Sequence, residues 1–384
     1  MGKGFPEGST AFLVIHGIGE QNPFETLDSF TRGFVKLFTD SNQALNISHR
    51  ISERKDSCGA SWTESFVRLQ PDKGDGFIDI HEYYWAYLTE EKITVPEVGK
   101  WVEQTLEGTR RFYDENVELR RKYEKDGVAD YRLTRVFFLL HILSVIYPLL
   151  KVVAPLLSYL IRLPLISGFK KGAVFLESLL RPVIVGYIGD IAIYTTVDEK
   201  SRFFEVRRKI LAESQLLIES LLTEEIYNRI IIVGHSLGSV IAYDTLNSLN
   251  LRANLPNSRP LPLEKIKGLI TFGSPLDKIA FFFREHASRE QYVRRQIMEQ
   301  LHSFRTKKFD FEANLAVVNS TITSILKGIK WVNYYDMLDP VSGHLDFYDV
   351  DENKELLMHS EWGVAHTAYW EHEPMYEEIA KKYF

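Results

Sequence analysis

The sequence predicts an α/β fold: a mostly parallel central sheet flanked by helices, interrupted by one large helical insertion. Three observations predict it. Ile230, Ile231, Ile232 and Val233 form a β-branched apolar run, the signature of a short buried strand. Gly234-His235-Ser236-Leu237-Gly238 follows at once, and Val240, Ile241, Tyr243 and Asp244 then start a helical pattern that runs to about Leu249. Near the start of the chain, Ala11–Ile15 is a second apolar run. It ends in His16-Gly17-Ile18-Gly19-Glu20, after which Phe24, Leu27, Phe30, Phe34, Leu37 and Phe38 recur at helical spacing. Finally, strand–helix alternation stops near Thr89 and resumes after Tyr194. The chain therefore divides into residues 1–88 as the first part of the core, 89–194 as the insertion and 195–384 as the second part of the core.

Composition narrows the class. The chain has 384 residues, 45% hydrophobic and 26% charged, enough for a large globular core. A net charge of −6 and the lack of any recognisable nucleic-acid motif argue against a nucleic-acid partner. Cys58 is the only cysteine, which excludes an intrachain disulfide and a thiolate metal cluster and fits a reducing compartment. Met1–Thr10 is polar, without the apolar core of an export signal, so the expected location is cytoplasmic.

Taken in order, Leu45–His49, Glu64–Gln70 and Gly76–Tyr84 read as further strands, with a turn cluster at Pro71–Gly76. Asp79, His81 and Glu82 match no standard metal-ligand spacing and read as satisfied polar positions. Tyr83, Tyr84, Trp85 and Tyr87 read as packing or as the wall of a cleft. Thr94–Asp126 is a charged helical stretch. The most apolar segment of the chain, Val136–Ile161, is interrupted by Pro148, Lys151 and Pro155. Strands on both sides of it must join one sheet, so a single membrane crossing is ruled out. A second apolar region, Ala173–Tyr194, carries Glu177, Arg181 and Asp190 and makes a poor partner span. The expectation is a proline-broken cap that covers the site or dips into a membrane surface on the inner face, with residues 131–171 making the contact and Arg132, Arg135, Arg162, Lys170 and Lys171 among the headgroups. A spanning hairpin and a buried helix pair stay open as alternatives. Thr195–Thr223 reads as a long amphipathic helix, Ile266–Phe272 as a strand, Glu285–Lys308 as a basic helix and Lys330–Tyr335 as the last long strand.

The candidate chemistry centres on Ser236. A serine between a strand and a helix, flanked by glycines, sits on a sharp turn with its hydroxyl displayed. Gly234 and Gly238 let strand and helix pack closely, and His235 completes the turn. The Leu237 amide at the helix N-terminus faces the position where an oxyanion would form. The loop of His16, Gly17 and Ile18 is the candidate for the second donor, through the Ile18 amide. Ser274 is a rival serine, but Pro275 blocks a helix start after it. A triad acid belongs on the loop after a late strand, where Asp339 fits and Asp336 is the runner-up. His366, on a loop entering the C-terminal helix, is the candidate base. His344, His359 and His372, the last expected within the final helix, compete with it.

With Ser236, Asp339 and His366 in that order, the chain resembles the α/β-hydrolase superfamily on its lipase and esterase side. The resemblance covers residues 8–85 and 199–384. The Gly234–Gly238 stretch looks like a lipase elbow and His16-Gly17-Ile18-Gly19 like a lipase oxyanion loop, in which the residue after His-Gly donates its amide. Residues 16–21, 189–194 and 235–239 also resemble a group of bacterial hydrolases. The resemblance implies an α/β-hydrolase fold and, as reaction class, a serine hydrolase that cleaves carboxylic esters. The apolar insertion argues for an apolar acyl chain or a lipid as substrate, and the expected chemistry needs neither metal nor organic cofactor. An acyltransferase or thioesterase on the same fold is the alternative activity. A membrane-associated interaction protein with a vestigial site is the alternative from outside enzymology.

Overall fold

The computed structural model describes residues 5–18, 22–40, 44–55, 59, 61–89, 193–195, 201–277, 291–301, 304–305, 319–339, 341–346, 348–358 and 365–384. Of the insertion expected over 89–194, only Thr89, Ile193 and Tyr194 fall within these residues. The apolar segment 136–161, the basic residues around it, Cys58 and His359 lie outside them. Among the described residues no helix is long and apolar enough to cross a membrane.

Eight strands form one sheet: β1 (Ser9–Ile15), β2 (Leu45–Lys55), β3 (Ser61–Pro71), β4 (Phe77–Tyr83), β5 (Arg229–His235), β6 (Ile266–Phe272), β7 (Lys330–Tyr335) and β8 (Glu352–Glu355). Their spatial order is β2-β3-β4-β1-β5-β6-β7-β8. From β4 to β8 every pairing is parallel, and β3 runs antiparallel to both neighbours. Among the described residues the α-helices are α1 (Glu25–Asp40), α2 (Arg202–Thr223), α3 (Leu237–Ala253), α4 (Tyr292–Leu301), α5 (Ala365–Ala368) and α6 (Glu373–Tyr383). This mostly parallel, helix-flanked sheet is an α/β-hydrolase arrangement.

The two-residue period of a strand sorts the core into two layers. From β1, Phe12 and Val14 face the layer built by α1 and α6, while Ala11, Leu13 and Ile15 face the layer built by α2 and α3. On α1, Phe30, Phe34 and Phe38 recur every fourth residue and are fully buried. Phe12 meets the Phe30 and Phe34 rings at 5.6 and 5.3 Å, and Tyr376 of α6 closes on both. Each ring removed from water contributes about 2 kcal/mol, so this stack pins α1 to the sheet.

Several boundaries differ from expectation, each for a physical reason. Strands β2 and β3 are longer than predicted because they pair with each other along their whole length, from Leu45 with Pro71 to Lys55 with Ser61. Residues 50–55, polar except for the exposed Ile51, carry little apolar signal because this edge ribbon is largely open to water. Strand β8 was not foreseen at all: its four polar residues hold their place by parallel pairing to β7. Helix α2 starts at Arg202 rather than Thr195, since Ser201 is extended and caps it by accepting from the Phe203 amide at 3.2 Å. The basic helix expected to reach Lys308 has ended by Phe304 and Arg305, which turn into the core. There Arg305 donates to the Ile329 carbonyl and to Asp351.

The polar residues of β4 are satisfied. Asp79 takes two hydrogen bonds from Arg68, both 2.7 Å, and one from the Tyr227 hydroxyl at 2.8 Å. His81 lies 2.7 Å from Glu64 and 3.1 Å from the same hydroxyl, and Arg54 pairs with Glu64 and Glu224. Glu82 accepts from the Phe24, Thr26 and Leu27 amides and so caps α1. Among the described residues no cluster of His, Cys, Asp and Glu is arranged to hold a metal ion. Because Asp79 is fully buried, Asp79→Ala removes the acceptor of the buried Tyr227 hydroxyl and the partner of Arg68, which itself reaches solvent. The expected cost is about 2 kcal/mol, read as a fall in the urea midpoint. An unchanged midpoint would mean that the network holds nothing together.

Candidate active site

The register of the sheet assembles the site. Ile15 of β1 lies opposite Gly234 of β5, so His16-Gly17 and His235-Ser236 leave the sheet side by side. Phe272 of β6 aligns with both His235 and Tyr334 of β7, which brings the loop after β7 to the same edge.

Ser236 adopts φ 52° and ψ −128°, a left-handed conformation that costs a residue with a side chain roughly 1–3 kcal/mol. Its surroundings hold it there. The Ser236 amide donates to the Phe272 carbonyl at 3.1 Å, and the Ser236 carbonyl accepts from the Ser239 amide and hydroxyl at 3.0 and 2.6 Å. The turn is closed too tightly for side chains at its flanks. A Cβ on Gly234 would lie 2.4 Å from the Ser239 Cα, and one on Gly238 would lie 2.1 Å from the Ile15 carbonyl oxygen. Gly17 sits against the serine itself, where a Cβ would fall 2.6 Å from the Ser236 Cβ and 3.3 Å from its Oγ. Ile18 is buried beside it, and Leu237 opens α3.

Three of the sequence candidates meet in one line. Ser236 Oγ is 2.9 Å from His366 Nε2, and His366 Nδ1 is 3.1 and 3.0 Å from the two Asp339 carboxylate oxygens. Burial would raise the Asp339 carboxyl, but the hydrogen bond and charge of His366, with the Val341 amide and the Tyr369 hydroxyl, hold it below the usual carboxylate range. An ionised Asp339 accepts a hydrogen bond from His366 Nδ1–H, and this tautomer leaves Nε2 facing Ser236 as an acceptor.

The competing candidates are engaged elsewhere. Asp336 gives one oxygen to the Leu338 amide and the other to the Met358 amide. His344 is half-buried and pairs with Asp346 at 2.8 Å. His372 precedes α6 as its cap instead of lying within it, and His366 stands in the short helix α5 instead of a loop. Ser274 follows the left-handed turn at Gly273 and is hydrogen-bonded to Ser239 Oγ at 2.6 Å.

Two further histidines shape the site without titrating near neutrality. His16 stacks flat on Trp85 at 4.9 Å, donates from Nδ1 to the Gly17 carbonyl, and accepts at Nε2 from the Trp85 and Ala86 amides. Burial lowers it to about 4. His235 donates from Nε2 to the His366 carbonyl at 2.9 Å, and burial, helped by His366, lowers it to about 3. Trp85 is therefore packing, one of the two roles expected for the aromatic cluster. Tyr369 received no role from the sequence, although it follows His366 by three residues, a spacing that puts both on one face of a helical turn.

The strand–turn–helix around Ser236 and the sheet that carries it define an α/β-hydrolase domain. Residues 189–306 match the family Lipase (class 3), so the α/β-hydrolase resemblance holds over this part of the chain and points to a lipase- or esterase-like hydrolase. That match contains Ser236 but not Gly17, Asp339 or His366. It supports hydrolase activity of the esterase type in general. A comparison with curated proteins found no match.

The two buried histidines make stability depend on pH. Unfolded, each takes up a proton near its ordinary value of 6.5, whereas the folded protein refuses it down to about 4 at His16 and about 3 at His235. The unfolded state thus gains protons first, and stability falls as pH drops below about 6.5, by up to ~1.4 kcal/mol per pH unit for each histidine. Urea midpoints should therefore fall between pH 7.5 and 5.5, and His235→Gln should flatten part of that slope.

Proposed function

We propose that the protein is a serine ester hydrolase with Ser236 as nucleophile, His366 as general base and acid, and Asp339 as the orienting carboxylate. The observation that carries this reading is the hydrogen-bonded line from Ser236 Oγ through His366 to Asp339. His366 Nε2 takes the hydroxyl proton as Ser236 Oγ bonds to the acyl carbon. The tetrahedral oxyanion is held by the Ile18 and Leu237 amides, each worth roughly 3 kcal/mol of barrier. His366 then returns the proton to the departing alcohol, leaving an acyl-enzyme, and water repeats the sequence to release the acid. Every step uses only side chains and amides of this chain.

The substrate in this reading is an ester with an apolar acyl chain, a small molecule or a lipid. The lipase (class 3) match supports it, as does the apolar segment 136–161 in the sequence. The same reading takes residues 89–194 as an insertion into one hydrolase core. β1 to β4 come from before that stretch and β5 to β8 from after it, within a single sheet. Residues 131–171 would bring the protein to a membrane surface from the cytoplasmic side.

Ser236→Ala is expected to lower turnover of p-nitrophenyl esters by at least about 10⁴-fold, and Asp339→Asn by about 10³- to 10⁴-fold. A fluorophosphonate should label the wild type and not Ser236→Ala. Retained turnover in Ser236→Ala would overturn the assignment, and absence of labelling in the wild type would point to a vestigial site. Rates on esters of increasing chain length, with liposome flotation of the same sample, test the substrate. A preference for short soluble esters without flotation would remove the lipid from the proposal.

A further inference from the structure

Resting on that reading, we propose that Tyr369 is a positioning residue for the acid–histidine pair, its hydroxyl holding the Asp339 carboxylate in the plane that orients His366. Tyr369 is fully buried, in the turn Tyr369–Glu371 that continues α5 directly from His366. Its hydroxyl donates to Asp339 Oδ2 at 2.9 Å. With its one proton committed to a carboxylate, the oxygen acts as an acceptor toward its other neighbours. These are the Asp336 amide at 3.0 Å and Ser342 Oγ at 2.9 Å. One hydroxyl thereby ties together the end of β7, the loop after it and the segment that carries His366.

The carboxylate is held symmetrically. Asp339 Oδ1 takes the Val341 amide at 2.8 Å and Oδ2 takes the Tyr369 hydroxyl, while both oxygens face His366 Nδ1. The Val341 amide is fixed by the backbone and survives any side-chain change. The Tyr369 donor alone can be deleted, and its loss frees Oδ2 to turn about the Cβ–Cγ bond. The phenol is a lasting donor: burial, reinforced by the Asp339 charge, keeps its proton on far above neutrality.

Two consequences separate this role from plain packing. Without the tyrosine donor the Asp339 charge is less neutralised and attracts the His366 imidazolium more strongly, so the acid limb of kcat/KM moves to higher pH. The looser carboxylate also orients the base less well, which lowers kcat. Because Tyr369 is fully buried behind Asp339, KM is left alone.

The experiment compares Tyr369→Phe with wild type on one soluble p-nitrophenyl ester across pH 5–9. Tyr383→Phe serves as control, since that hydroxyl meets the Lys330 carbonyl at the opposite end of β7. The expected result for Tyr369→Phe is a kcat lower by about 10- to 100-fold, KM within about twofold, and an acid limb raised by at least about 0.3 pH unit. Tyr383→Phe keeps the wild-type profile. Should Tyr369→Phe not fold, Ser342→Ala replaces it. That variant removes a donor to the phenol, weakens the phenol as a donor in turn, and should shift the acid limb in the same direction by less. The proposal is overturned if the variant's acid limb coincides with wild type, or if its loss of kcat is matched by Tyr383→Phe. Failure of the underlying reading shows separately, as turnover retained in Ser236→Ala.

Discussion

Ser236 stands on a backbone conformation that a residue with a side chain avoids, and much of the surrounding architecture keeps it there. The strain persists only while its neighbours over-determine the turn. The Phe272 carbonyl accepts from the Ser236 amide, Ser239 donates to the Ser236 carbonyl through both its amide and its hydroxyl, and the Ile15 and His16 carbonyls lie close against Gly238. Those contacts come from β6, α3 and β1, so they exist only when the sheet is complete. The aromatic stack that fixes α1 to β1 and the buried network on β3 and β4 act on the Ser236 turn at one remove, through β1, which pairs with both β4 and β5.

The electrostatics of the site depend on three histidines in three environments. Of these three, only His366 has a carboxylate on one nitrogen and a hydroxyl on the other. His235, with its ring 4.9 Å from that of His366, is stripped of solvent and neutral. On the proposed mechanism an imidazolium forms on His366, and a charged His235 beside it would repel that charge. His16 is neutral for the same reason, and its ring aligns the Gly17 segment against the serine. In the proposed reading these three similar side chains divide into one proton carrier, beside a carboxylate, and two neutral struts.

The legible parts of the sequence were those written in local pattern. Ile266–Phe272 and Lys330–Tyr335 could be bounded to the residue because apolar runs end at glycine or aspartate. That Ser236, Asp339 and His366 would lie together could be anticipated because the Ser236 turn anchors the comparison and the loops after late strands supply few acids and histidines; the structure places the three within hydrogen-bonding distance. What escaped were features made by long-range pairing. Glu352–Glu355 has no intrinsic strand signal and is a strand because β7 offers it an edge. The polar half of β2 is a strand because β3 pairs with it. Tyr369 looked like one aromatic among many, since its partners Asp336, Asp339 and Ser342 lie some thirty residues upstream. Asp336 and Asp339 could not be separated by spacing. Hydrogen bonding separates them, because Asp336 is committed to backbone amides on both oxygens.

The placement of β1 between β4 and β5 also bears on how such a molecule comes into being. During synthesis β1 can find β4 early, but its other edge has no partner until the residues of β5 emerge far downstream. Until then Ala11–Ile15 is an apolar strand with one row of amides and carbonyls open, a template for association with other chains. Closing the gap is entropically cheap per added residue, since each doubling of the intervening length costs only about 0.6 kcal/mol. The stretch between β4 and β5 can therefore grow or shrink over evolutionary time with little effect on final stability. The cost falls instead on the time the nascent chain spends with an open edge, and the turn at Ser236, which needs β1, β5 and β6 together, must wait until all three have emerged.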